Sequence, residues 1–267
     1  MRSLRLAAAT VACLSAVTVL SACDPEGTDT GDSAASAAPT SVASPTAAAS
    51  PTSGGAGSPA PAKSSAAAAG TAAERLPAGV WIDPKAVPMN SALHWKAPGS
   101  AVKPLGTKGR FRIETLCKIP RDESFAEVPM VESASLGAPS GDWAADEVVA
   151  SFGSSAQSSG RAQSAFALLG TVADGLKACD TTMPGATVSV TTDDSTFLAA
   201  TLTVPLVDGG SAEVHEYLSV QGGSVAELML HAQLAKGSHP KTAWSAPADG
   251  AVLDGLGKAV CTALGDC

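Results

Sequence analysis

Six cysteines carry the most reactive side chains of this 267-residue sequence. Two lie near the N-terminus, and the other four come after position 100: Cys117, Cys179, Cys261 and Cys267. Thiols can bind a metal, form disulfides or accept a covalent group. The chain has no C-x-x-C pair, and its histidines lie away from the cysteines, so the spacing favours two disulfides over a metal site in an exported domain.

Motifs of hydrolytic enzymes are missing from the sequence. We find no G-x-S-x-G elbow, no S-x-x-K with its partner boxes and no H-E-x-x-H. His215-Glu216 lacks a second histidine four residues later, and His231 and His239 are too isolated to indicate a metal site. We therefore predict no catalytic residues, no metal and no cofactor, which leaves a hydrolase as a less favoured alternative.

The N-terminus has the pattern of a secretory signal peptide. Arg2 and Arg5 precede an uncharged run of fifteen residues, Leu6 to Leu20. As a helix this run would span about 22 Å, less than the ~30 Å hydrocarbon core of a bilayer. A positive start, a short apolar centre and small residues at the boundary are typical of a cleaved export signal.

The end of that run, Leu20-Ser21-Ala22-Cys23, resembles a bacterial lipobox. The resemblance implies that residues 1–22 are removed and that the Cys23 thiol receives a diacylglyceryl group. Two or more acyl chains hold a protein stably in a membrane, where one chain is marginal. We expect a protein anchored by lipid to the extracytoplasmic face of the cell membrane. An ordinary signal peptide, cut after Ala22, is the alternative.

Two segments with different compositions follow the lipobox. Between Asp24 and Ala73 all but six of fifty residues are Ala, Ser, Pro, Thr or Gly, which predicts a disordered linker over residues 23–73. Residues 74–267 are long enough for one domain with a core. This part has fourteen Lys and Arg against twenty-one Asp and Glu, and its acidic charge without a basic stripe argues against nucleic-acid binding.

Hydrophobic periodicity predicts an α+β domain, with an antiparallel sheet of about five to six strands packed against two main helices. Strands are expected at 109–119, 143–152, 186–192, 195–207, 212–221 and 224–234, the last four forming a meander. The first helix begins at a cap on Ser154 or Ser155 and ends near Cys179. Its apolar stripe comprises Ala162, Ala165, Phe166, Leu169, Val172, Ala173 and Leu176. The last helix covers 248–264.

The C-terminal sequence leaves two disulfide pairings open. If the last helix ends at Leu264, Gly265 can adopt the left-handed cap and turn Cys267 back toward Cys261. Cys117 would then pair with Cys179, and we prefer this arrangement. The rival pairing joins Cys179 to Cys261 and Cys117 to Cys267.

The order of elements resembles the extracellular sensor domain of mycobacterial PknH-type serine/threonine kinases and of actinobacterial lipoproteins that carry this domain alone. The resemblance covers residues 114–267 and rests on Phe152-Gly-Ser-Ser-Ala156, Leu176-Lys-Ala-Cys179 and Val260-Cys261-Thr-Ala-Leu264. It implies an α+β fold with an antiparallel sheet, two disulfides and an open cleft that binds a ligand.

Aromatic and histidine side chains are the candidates for ligand recognition. All four tryptophans are candidates because aromatic residues commonly line ligand sites. Trp244 is favoured because it lies in the loop between the sheet and the last helix. If helices cover one sheet face, the other could present a cleft lined by His215, Tyr217, Met229 and His231, beside Trp244. Tryptophans of small domains more often belong to the core.

We therefore predict a membrane-anchored lipoprotein with a non-catalytic sensor or ligand-binding domain. Its expected partners are the membrane, through the lipid, and a small molecule or cell-envelope component. A scaffold that binds envelope proteins is the alternative.

Overall fold

The computed structural model of the protein describes residues 75–125, 127–138, 142–153 and 159–267. The predicted signal peptide, Cys23, the linker and the helix cap at Ser154 or Ser155 lie outside these residues. Within them, no helix is both long and apolar enough to cross a membrane.

In the part of the chain that the structure describes, seven antiparallel strands form one sheet in the order β1-β2-β3-β7-β6-β5-β4. The strands are β1 Lys103–Pro104, β2 Met130–Gly137, β3 Ala144–Ser151, β4 Thr187–Asp193, β5 Phe197–Pro205, β6 Ser211–Gln221 and β7 Ser224–Leu234. The predicted α+β class, antiparallel pairing and β4–β7 meander are confirmed, and the sheet has one or two strands more than we expected.

Five α-helices accompany the sheet among the described residues: α1 Asn90–Leu93, α2 Arg112–Leu116, α3 Ser159–Lys177, α4 Cys179–Thr182 and α5 Asp249–Leu264. The two long helices, α3 and α5, are the two main helices predicted from the sequence. Short 3-10 turns occur at Ala78–Val80, Pro84–Ala86, Gly99–Ala101 and Glu123–Phe125.

Helices pack on both faces of the sheet, and each face has its own apolar core. The face that includes Val148 and Leu218 packs against α2 and α3, and is called the α3 face. The face that includes Val149 and Leu228 packs against α5 and the segment 76–95, and is called the α5 face. The domain therefore has three layers, and the idea of one uncovered sheet face is wrong.

The buried side of α3 differs from the predicted stripe at two positions. Phe166 is 41% exposed, whereas Leu168, which we did not place on the stripe, is fully buried. A helix of 3.6 residues per turn rotates by about 100° at each residue, so positions at the edge of an apolar stripe are hard to assign from spacing.

Residues 109–119 do not form the predicted strand, because their centre is α2. The Glu227 carboxylate on β7 accepts hydrogen bonds from the N–H groups of Arg112 and Ile113, at 2.7 and 2.8 Å. Glu114 accepts the N–H of Phe111 at 2.7 Å. These contacts satisfy the first N–H groups of a short helix, which otherwise lack partners. The alternating apolar pattern alone could not reveal a carboxylate 115 residues away in sequence.

Several glutamates are buried on or beside the sheet and bind groups outside it. Glu114 forms a bidentate pair with Arg121, at 2.7 Å for each contact. Glu147 on β3 accepts the N–H of Ile82 from the segment 76–95, and burial raises its pKa to about 8. Two carboxylates thus bind the main chain of segments outside the sheet, Glu227 on the α3 face and Glu147 on the α5 face.

Glu216 and Glu227 lie on the same face of neighbouring strands and form a buried acidic pair. Burial is the main cause that raises both pKa values, and the charge of Glu227 raises that of Glu216 further. No described residue donates a hydrogen bond to the Glu216 carboxyl. A protonated Glu216 can instead donate to the Glu227 carboxylate, which then keeps its bonds to α2.

The four predicted disulfide cysteines form two bonds. Cys117, which follows α2, is joined to Cys179 at the start of α4, and Cys261 is joined to Cys267. Gly265 adopts φ 71°, ψ 27°, and the N–H groups of Gly265 and Asp266 both bond to the Cys261 carbonyl. This left-handed turn produces the preferred pairing, and the rival pairing is wrong.

Replacing Glu216 with Gln should stabilise the domain above neutral pH. Because both glutamate pKa values are raised in the folded state, that state holds protons that the unfolded chain releases, so unfolding becomes easier as pH rises from about 4.5. The Gln amide can donate to Glu227 at any pH. We expect a gain in unfolding free energy on the order of 1–3 kcal/mol at pH 8, and little gain at pH 4.5, in denaturant titrations.

The matched control is Glu213→Gln, at a half-buried position of the same strand on the opposite face. It should lack the gain in unfolding free energy that Glu216→Gln shows at pH 8, because Glu213 does not face Glu227. If the unfolding free energy changed with pH in the same way in the wild type and in Glu216→Gln, the proposed hydrogen bond from protonated Glu216 to Glu227 would be contradicted.

Candidate functional site

A cleft of about 390 Å³ opens on the α5 face, at the side of β4 and β5. It lies within the size range of small-ligand sites. Its polar and aromatic lining consists of Thr191, Thr201, His215, Tyr217, Trp244, Ser245 and Asp249, with Ala199, Ala200, Ala246 and Pro247 between them. This mixture of rings, small apolar groups and a few polar atoms is typical of a binding site.

Five elements bring these side chains together: β4, β5, β6, the loop after β7 and α5. His215 and Tyr217 are two residues apart on β6 and therefore point to the same face of the sheet. Trp244 belongs to the loop after β7, and Asp249 is the first residue of α5. The cleft exists because α5 packs mainly against β6 and β7.

The rings of His215 and Trp244 stack in parallel, with centroids 3.4 Å apart and planes 4° apart. Trp143 lies against both at a tilt, with its centroid 4.9 Å from Trp244 and 5.4 Å from His215. Trp143 is fully buried. The three rings form one aromatic cluster, in which a buried tryptophan supports the two rings that line the cleft.

Hydrogen bonds hold the loop that carries Trp244. The Trp143 indole N–H donates to the Thr242 carbonyl at 3.0 Å. Asp142 accepts the Thr242 N–H at 3.2 Å and its hydroxyl at 2.6 Å. Because Asp142 and Trp143 immediately precede β3, these bonds tie the loop to the sheet beside the stacked rings.

Burial sets the charge state of the site. It lowers the pKa of His215 to about 4, with only a partial opposing effect from the negative charge of Asp249. It also raises the pKa of Tyr217, and the charge and hydrogen bond of Asp249 add to that rise. Near neutral pH the cleft therefore presents an uncharged imidazole, an uncharged phenol and an acidic group from α5.

The five residues predicted to bind a ligand do not share one face. His215, Tyr217 and Trp244 come together in the cleft, but Met229 and His231 lie on the α3 face. The register pairs Met229 with Glu216 and His231 with Val214, so both point away from the cleft. His231 contacts Asp146 at 3.3 Å. The grouping of all five was wrong because it ignored the relative register of β6 and β7.

The remaining residues of the site had weak sequence signals. Asp249 opens a predicted helix, where an acidic residue is common for capping reasons alone. Thr191 and Thr201 lie on strands among many other hydroxyl residues. Trp81 and Trp95, which qualified by residue type, pack in the core of the α5 face.

Two other cavities adjoin the cleft. One of about 560 Å³ shares Ser245, Ala246 and Pro247 with it and extends to residues 85–91. Another of about 210 Å³ shares Thr201 and His215 and extends over β4 and β5. We take the middle cleft as the centre of the site, although it is smaller than the first, because the aromatic cluster and the groups with perturbed pKa values lie there.

The described residues contain no group of three or more His, Cys, Asp or Glu side chains placed to hold a metal ion. Comparison of the chain with known protein families and with curated proteins finds no match. The geometry of the cleft is therefore the basis of the functional assignment.

The imidazole of His215 should titrate near pH 4, and Trp244→Ala should raise its pKa toward 6.5, because the substitution exposes one face of the ring to water. As pH falls through this window, protonation of His215 favours the unfolded chain, so this residue contributes a loss of stability between about pH 6.5 and 4, opposite in sign to the contribution of the buried glutamates. NMR titration of the imidazole shifts measures the first effect.

Trp244→Phe is the conservative comparison, because it keeps a ring over His215 and should keep the pKa low. A wild-type imidazole that titrates near 6.5 would contradict the stacked, buried arrangement.

Proposed function

We propose that this protein is a lipid-anchored, extracytoplasmic receptor whose domain binds a ligand in the aromatic cleft without transforming it. The observation that carries the proposal is the convergence of His215, Tyr217, Trp244 and Asp249 on one cavity of about 390 Å³. Their burial and mutual contacts hold a site of defined shape, as recognition of a ligand requires.

The contacts of the polar groups favour binding over catalysis. The His215 ring is occupied by its stack with Trp244, and its lowered pKa makes it a weak base near neutral pH. The Tyr217 hydroxyl interacts with Asp249. These groups are arranged to support one another and to contact a bound molecule.

The sensor-domain resemblance is part of the same proposal. An antiparallel sheet, two disulfides and an open cleft are the features that the resemblance implies, and the domain has all three. This agreement supports a sensor or receptor role at the cell surface, with the ligand taken from the envelope.

Native mass spectrometry of the full chain, purified from its own membrane, tests the ligand proposal. We expect a bound mass on the wild type that is lost from Trp244→Ala, since that variant removes one wall of the cleft. Phe166→Ala, which truncates an exposed ring on α3, should retain the mass. Tyr217→Phe is a milder cleft variant in case Trp244→Ala folds poorly. The proposal would be contradicted if the wild type carried no bound ligand mass and if no envelope fragment in a screen raised its melting temperature.

Cys23→Ala should release the protein from the membrane into the medium, because no thiol would remain at the proposed cleavage site for lipidation. Fractionation followed by immunoblotting measures the distribution. Cys13→Ala, within the apolar run, is the matched control and should remain anchored. Membrane retention of Cys23→Ala would refute the proposed anchor.

A further inference from the structure

The cleft continues onto an open part of the sheet that carries a regular set of hydroxyl groups. On the α5 face of β4 and β5 these are Thr187, Ser189, Thr191, Thr201 and Thr203. The register sets Thr187 opposite Thr203 and Ser189 opposite Thr201. On the next strand, Thr201 and Thr203 lie opposite His215 and Glu213. The side chains thus form two cross-strand rows: the row of Ser189 and Thr201 ends at His215 of the aromatic cluster, and the row of Thr187 and Thr203 ends at Glu213.

We propose that this surface binds a neutral glycan chain, with one sugar in the aromatic cleft and the following units along the hydroxyl rows of β4 and β5. This inference rests on the proposed ligand-binding function and specifies the class of ligand. We use "glycan groove" for the cleft together with the adjoining cavity of about 210 Å³.

The charge of the glycan groove selects against anions. Among the described residues that line it, none is Lys or Arg, and its charged side chains are the acidic Glu213 and Asp249. His215 is uncharged near neutral pH because burial lowers its pKa. A phosphate, sulfate or carboxylate would therefore meet negative charge without a cationic partner.

The same geometry disfavours a cationic ligand. Recognition of an ammonium group by aromatic residues requires ring faces turned toward the cation. One face of Trp244 is covered by His215, at a centroid distance of 3.4 Å. Asp249 already interacts with the Tyr217 hydroxyl, so its carboxylate is partly engaged.

A neutral polyhydroxylated chain matches the groups that remain. Sugar hydroxyls both donate and accept hydrogen bonds, as do the side chains of threonine, serine and tyrosine. The C–H surfaces of a sugar ring can pack against the apolar part of the cleft, which includes Trp244, Ala246 and Pro247. The length of the groove, which continues from the cleft over β4 and β5, suits several linked units better than a single one.

A peptide is the other extended ligand to consider. Extended peptides commonly bind by adding a strand to the edge of a sheet, through backbone N–H and C=O groups. β4 is the outer strand of the described sheet, but the glycan groove lies on the sheet face, where side-chain hydroxyls of β4 and β5 are displayed and these two strands are paired with each other. The observations therefore favour the glycan.

Isothermal titration of the full chain in detergent micelles with cellotetraose and chitotetraose tests the proposal. We expect saturable binding of at least one tetrasaccharide. The double variant Thr201→Val/Thr203→Val should weaken this binding about tenfold or more, because it removes two hydroxyl partners while retaining strand propensity. Trp244→Ala should weaken it at least as much. Thr181→Val, at an exposed position on α4, is the matched control and should bind like the wild type.

The alternatives are distinguished by choline chloride, glucose 6-phosphate and tetra-alanine, titrated in parallel. If one of these binds in a Trp244-dependent manner while neither tetrasaccharide binds, the glycan class is overturned and the ligand-binding function stands. If no probe binds and the membrane-purified protein carries no ligand, both are overturned. Tetrasaccharide binding that survives both cleft variants would lie elsewhere and would also overturn the proposal.

Discussion

Strand β7 is the element on which all three layers of the domain depend. It is the last strand in the chain, yet it lies in the middle of the sheet, paired with β3 on one side and β6 on the other. All of its residues are buried except half-buried His231 and exposed Gln233. Glu227 faces α2 and α3, whereas Leu228 and Leu230 face α5. Its partner β3 lies far away in sequence, so the sheet is complete only when the long-range pairing between β3 and β7 forms.

The buried carboxylates show why these layers come together in one arrangement. Glu227 holds two N–H groups of α2, and Glu147 on the neighbouring strand holds the N–H of Ile82. Burying a carboxyl group is costly unless it is protonated or well bonded. The N–H groups of α2 can make such bonds to Glu227 when α2 lies in its observed position against β7. The Cys117–Cys179 disulfide then links the end of α2 to the start of α4. Because the buried carboxylates need these hydrogen bonds, they restrict where α2 and the segment 76–95 can pack against the sheet.

The cleft follows from the limited width of α5 relative to a seven-stranded sheet. A helix with its side chains is about 10–12 Å across, while neighbouring strands are about 4.8 Å apart, so one helix covers two or three strands. In this domain α5 covers β6, β7 and part of β5, and the segment 76–95 packs beside it. The face of β4 and the outer side of β5 remain available. The loop with Trp244 borders this open area and places the aromatic cluster at its edge.

Local sequence determined the parts of the protein whose causes lie close together along the chain. Alternation and glycine turns defined the β4–β7 meander, three-and-four spacing defined the two long helices, and Gly265 defined the Cys261–Cys267 turn. The tertiary structure decided two other features. Residues 109–119 contain the helix α2 instead of a strand, and Met229 and His231 lie on the sheet face opposite His215. The first depends on a carboxylate from β7, and the second on the register between two strands. Such contacts bring distant residues together, and no local periodicity encodes them.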